Sequence, residues 1–158
     1  MKRIAFSGAV LLSSLMAFTT VTAAQPSPEE QAAATVENRQ AVFKLLAVAN
    51  GTLGGMVRGA PYDADAAKLA VTRIETLAGM IPELFEADTR SFADLDTRSA
   101  TTIWDSKADF DKMAQDLVDG ANAMMAVLES EAEPNLRAAF GPNIGTKCGA
   151  CHDRFRID

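Results

Sequence analysis

Both cysteines of the chain and its only histidine fall in one short stretch near the C-terminus, "KCGACHDRFR", Lys147 to Arg156. Cys148, Cys151 and His152 form C-x-x-C-H, the spacing by which c-type haem is attached to protein. On a helix, side chains three positions apart share a face, with Cβ atoms about 5–6 Å apart. Both thiols can therefore add to the two vinyl groups along one porphyrin edge. His152 follows beneath the ring, where a neutral imidazole can ligate the iron from one side. Three plainer readings compete. A disulfide suits an exported chain with two cysteines, but a thioredoxin-like redox pair needs a βαβ setting that the pattern lacks. Zinc needs a fourth ligand, and no other Cys or His exists. Chance is the third, and the specificity of the five-residue pattern weighs against it.

With no second histidine, the other axial position is filled by methionine, by something weaker, or by nothing. Met56, Met80, Met113, Met124 and Met125 all lie in or beside apolar stripes, which reads as core filling. Met56 stands thirteen residues beyond Phe43, about 20 Å along a helix axis at ~1.5 Å per residue, so it cannot replace Phe43 over an iron. A peroxidase would want a distal acid–base group, and no second histidine is there to serve.

A haem carried near the C-terminus needs an opposing element, and the chain supplies helices for it. Ser27-Pro28-Glu29-Glu30 reads as N-cap, first-turn proline and capping box, opening helix A, which runs to about Arg58 with Val36, Phe43, Leu46, Ala47, Leu53 and Val57 on its apolar face. Helix B is capped near Asp63 and carries Ala67, Ala70, Ile74, Leu77, Ala78, Ile81 and Leu84, with Pro82 distorting its last turn. Residues 86–102 are polar and turn-rich, a long connection pinned by Phe92 and Leu95. Helix C spans roughly Asp105 to Glu131, with Phe110, Met113, Ala114, Leu117, Ala121, Met124 and Leu128 at helical spacing. Helix D opens around Glu133-Pro134 and runs through the cysteines to Ile157, with Pro142 kinking or splitting it. Four amphipathic helices without a strand pattern or repeat predict an all-α, antiparallel four-helix bundle. Helix A then faces a haem held by helix D. Arg39 lies one turn before Phe43, where it could pair with a haem propionate while Phe43 lies over the iron in a pocket of apolar side chains.

The N-terminus addresses the chain for export. Met1, Lys2 and Arg3 precede an apolar run from Ile4 to Val21, and "VTAAQ" offers a signal-peptidase site, so residues 1–24 read as a signal peptide and residues 25–158 as the mature haem-binding bundle. The run is interrupted by Ser7, Ser13, Ser14, Thr19 and Thr20 and is borderline for a membrane span. No other segment approaches a span, which predicts a soluble mature protein in a bacterial periplasm. Without Lys2 and Arg3 the chain has 13 basic against 21 acidic residues, a charge of −8. Nucleic acid and anionic lipid are poor partners for it.

"CHDRFR", the helix A segment "RQAVF", "RGAPYDA" and "IW" before helix C together resemble the cytochrome c′ family over nearly all of the mature chain. The resemblance implies a left-handed four-helix bundle, often a homodimer, with one covalent five-coordinate high-spin haem c per chain. It implies binding of nitric oxide and carbon monoxide but poor binding of oxygen, and a role in nitric oxide handling or electron transfer with a redox partner rather than in enzymatic turnover. The runner-up is a low-spin electron carrier of the same fold with a methionine sixth ligand. By the same resemblance Cys148 and Cys151 are the thioether cysteines, His152 the proximal ligand, Arg156 the proximal-pocket arginine, Phe43 the apolar distal residue and Arg39 the propionate contact. Arg156 also lies four residues after His152, where its charge favours a neutral imidazole, and it could equally cap the helix. "FGPNIGTKC" departs from the family pattern by a proline and one extra residue.

Overall fold

Helix α1 (Pro28–Val57) starts as its sequence dictates: Ser27 Oγ accepts from Glu30 N, Glu30 reaches back to Ser27 N, and Pro28 occupies the first turn. The computed structural model describes residues 25–92, 94–130 and 135–157. The expected signal segment and the expected opening of helix D at Glu133-Pro134 lie outside them. Gly59, at φ 107°, turns the chain out of α1 in the left-handed region that glycine tolerates. Asp63 Oδ1 then accepts from Ala66 N and caps α2 (Ala64–Gly79). The helix pauses at Met80 and resumes as the single turn α3 (Ile81–Leu84), with Pro82 in its first turn.

After the connection comes the single turn α4 (Thr102–Asp105), and past Ser106 the expected helix C is α5 (Lys107–Ser130). Asn135 caps α6 (Leu136–Phe140) through a bond from Ala138 N. A single π turn, Gly141–Gly145, joins α6 to α7 (Thr146–Phe155). The expected helix D is thus interrupted at Pro142: α6 ends at Phe140, the π turn absorbs an additional residue with the backbone still helical, and the α-helix resumes at Thr146. The turn packs against α5 so closely that a Cβ at Gly120 would overlap Asn143 O.

These elements form a four-helix bundle of α1, α2 with α3, α5, and the α6–α7 helix. Its core comprises Leu53, Ala70, Val71, Ile74, Phe85, Phe110, Ala121, Met124, Ile144 and Phe155 among others. The buried stripe of α1 is Ala32, Val36, Arg39, Val42, Ala49, Leu53 and Gly54. This rotates the expected face: Phe43 is 36% exposed and Ala47 is exposed, because α1 packs on α2 with one face and borders a cavity with the next. The connection is anchored by buried Phe85 and Thr89, whereas Phe92 and Leu95 are only half-buried. At its end, Ala100 N donates to Phe155 O and Ile157 N to Arg98 O, both at 2.9 Å, closing an antiparallel bridge between Ser99 and Arg156. Among the described residues no helix is long and apolar enough to cross a membrane.

Candidate functional site

A cavity of about 520 Å³ opens between α1 and α7. That is within the range of roughly 300–1,000 Å³ common to ligand pockets. From α7 it is lined by Lys147, Cys148, Cys151, His152 and Phe155; from α1 by Val36, Gln40, Phe43, Lys44, Leu46, Ala47 and Asn50; and from α5 by Phe110, Met113, Ala114 and Leu117. Thus Cys148, Cys151, His152, Phe43, Arg39 and Arg156 all border one space.

Its inner wall is a file of rings. Phe43 meets Phe85 edge-on with centroids 6.2 Å apart, Phe85 meets Phe110 at 4.8 Å, and Phe110 meets Phe155 at 5.3 Å and 88°. This file runs from α1 to α7 and presents apolar surface suited to a flat macrocycle. Cys148 and Cys151 are free, half-buried and three residues apart on α7, and burial pushes both thiols up in pKa. They are not paired as a disulfide. His152 is shifted the other way: burial lowers its pKa first, the Arg156 charge second, and Asp153 opposes both. Its neutral form, the one that can ligate iron, is favoured. Arg156 is also the C-cap of α7, its N–H donating to His152 O at 3.1 Å. The end of α7 is held to α5 by Arg154 and Asp109, 2.6 Å apart. Two free thiols and an imidazole facing an apolar, aromatic-walled cavity fit a covalently held haem; among the described residues no His/Cys/Asp/Glu group suits a bare metal ion.

Two expectations change. The cavity is not lined by apolar side chains alone: Gln40, Lys44 and Asn50 border it from α1, and Asn50 Oδ1 is buried without a hydrogen-bond partner among the described residues. Sequence reasoning missed them because polar residues on a helix read as solvent-facing. The second change concerns Arg39, which is 2% exposed. Its guanidinium is turned into the connection, donating to Leu84 O (2.8 Å), Ala87 O (2.6 Å) and Thr89 Oγ1 (2.9 Å), and it lies 4.4 Å from the Phe85 ring centroid and 5.3 Å from that of Trp104. Among the methionines, Met113 borders the cavity; Met56 packs against the core, and Met124 is fully buried in it.

Comparison with known proteins follows the same lines. The family described as Cytochrome C′ matches residues 34–156. Cytochrome c-556 of Agrobacterium tumefaciens (strain B2A) is 33% identical over 126 residues, covering 79% of this chain and 98% of that protein. Cytochrome c prime from Shewanella frigidimarina aligns in structure with a TM-score of 0.72 at 33% identity, over 82% of this chain and 98% of its own. A ferrous variant of cytochrome c prime from Alcaligenes xylosoxidans with bound NO aligns at 0.66 and 31% identity, over 78% of this chain and 94% of its own.

Proposed function

The chain belongs to the cytochrome c′ family, whose covalent haem c its C-x-x-C-H motif fits, and from that premise we propose that it is an exported high-spin cytochrome that captures nitric oxide or carbon monoxide and exchanges electrons with a redox partner. The observation that carries this reading is Phe43 facing the thiol- and imidazole-bearing helix across one cavity. Bound haem supplies an iron that takes a diatomic ligand and changes oxidation state. The protein supplies the rest. Cys148 and Cys151 would fix the ring by two thioethers. His152, biased toward the neutral form by burial and Arg156, would be the residue that ligates the iron. Phe43, which lines the cavity from α1 and has no donor atom, would cover the other side of a bound haem without ligating it. An incoming ligand would have to displace its ring, which favours small neutral diatomics, and poor binding of oxygen is carried over from the family resemblance.

Export of residues 25–158 to the periplasm, with residues 1–24 removed as the signal, suits a chain whose first helix is capped at Ser27, just beyond the expected cleavage point. The exposed apolar residues Leu45 and Val48 of α1 and Leu69 of α2 suit a homodimer. The rival, a low-spin carrier, needs a methionine opposite His152. Met113 stands on α5, packed beside α7, whereas Phe43 stands across from α7 on α1. Titration of the reduced protein tests the function: nitric oxide and carbon monoxide should each change the optical spectrum at one ligand per chain, with no stable complex in air. A stable oxygen complex, or no response to either gas, would overturn it.

A further inference from the structure

We propose that the π turn is a register device for the C-terminal helix: by taking up one residue it points Cys148, Cys151 and His152 at the cavity, an inference that rests on the haem reading above. Leu136 of α6 and Phe155 of α7 are both buried in the core, 7% and 3% exposed, so the two ends of this helix present one face to the bundle. They stand nineteen positions apart. At roughly 100° per residue, an unbroken α-helix of that length would carry Phe155 about 100° past the Leu136 face. One residue absorbed in the turn removes that error. The attachment residues receive the same correction. In an unbroken helix His152 would lie about 160° from the Leu136 face, close to the opposite side, and Cys148 about 120° from it. With one residue taken up, His152 comes to about 60°, and Cys148 and Cys151 fall on either side of the core face, within about 40° of it. All three border the cavity, as this register requires.

The chain builds the turn from local chemistry and a notch opposite. Pro142 has no N–H to close an α bond onto Ala138 O, so the ladder has to step there. It closes again where Thr146 N donates to Gly141 O, five residues back, and Thr146 Oγ1 donates to Pro142 O at 3.2 Å. Ile144, inside the turn, is fully buried, so the turn is packed core rather than slack chain. Its neighbour Asn143 sets its carbonyl so close to Gly120 of α5 that any side chain there would overlap it. Gly120 does not line the cavity. It is a positioning residue, acting through the turn that aims α7.

Three variants of the full chain, matured with haem and compared at equal haem content, test this. Deleting Pro142 removes the surplus residue and lets α6 and α7 run as one α-helix with both faces kept, so the ferric optical spectrum and the carbon monoxide association rate should match those of the unmutated protein. Inserting one alanine between Gly145 and Thr146 turns α7 by about a further 100°, which should abolish that spectrum and lower the thermal midpoint. In the Pro142-deleted chain, Gly120→Ala should lose most of the drop in thermal midpoint that it causes in the unmutated chain, because no π turn remains to meet the added methyl group. A Pro142 deletion that misfolds or changes the spectrum overturns the assignment, as does an insertion that leaves the spectrum unchanged. An equal drop for Gly120→Ala in both backgrounds overturns the role given to Gly120. Covalent haem content of the unmutated chain, measured as the pyridine haemochrome, separates this from the underlying reading: no covalent haem removes the function itself, whereas covalent haem with a failed deletion removes only the register role of the π turn.

Discussion

Phe43 is 36% exposed and meets Phe85 edge-on, so its ring is not enclosed in the core, and the proposed role for it is a gate. A buried phenylalanine truncated to alanine costs roughly 3–5 kcal/mol. Phe43→Ala should cost clearly less than that in denaturant titration. The same variant should speed carbon monoxide association by orders of magnitude in flash photolysis. Rebinding at the unmutated rate would mean that Phe43 is not the gate. At the attachment site each cysteine should form one thioether, so Cys148→Ala and Cys151→Ala should each weaken covalent retention and the double change abolish it. Acid–acetone extraction that removes haem from the unmutated protein would contradict this.

At the scale of elements, the π turn determines how the haem-bearing helix sits on the bundle. Gly120 permits the approach of Asn143 O, and a methyl group there would overlap the carbonyl. Gly51, in the middle of α1, has nothing within 4 Å of its would-be Cβ. The two glycines should respond oppositely to alanine. Gly51→Ala should stabilise by up to ~1 kcal/mol through helix propensity. Gly120→Ala should destabilise by about 1–3 kcal/mol as α5 and the π turn are forced apart, with a visible change in the haem spectrum. Equal thermal shifts would refute the packing argument. The helix starts at Ser27 and Asp63 were legible because capping is local chemistry, as was C-x-x-C-H. The interruption of the last helix at FGPNIG was legible from Pro142 and a surplus residue, but its form as a π turn was not, since its packing against Gly120 is a contact between distant segments. Burial of Arg39 was not legible at all: its partners Leu84, Ala87 and Thr89 are 45 to 50 positions away. The bridge between Ser99 and Arg156 was hidden for the same reason.

For the whole molecule, the outward faces of α1 and α2 are the surfaces of the proposed dimer. Leu45 is 55% exposed and Val48 64%, three residues apart on α1. Sedimentation at high micromolar concentration should show a dimer, and Leu45→Glu should shift it to monomer without loss of covalent haem, by desolvating a charge in the interface. A monomer in the unmutated protein would exclude this surface as a self-association site.

The central claim is a haem with one strong axial ligand and an apolar cover, and the optical spectrum of the ferric protein as purified tests it most directly. His152 as the sole histidine, with Phe43 opposite, predicts high-spin character and no far-red sulfur-to-iron band. A low-spin spectrum carrying that band would establish methionine ligation, remove Phe43 from the sixth position and contradict the gas-binding site described above.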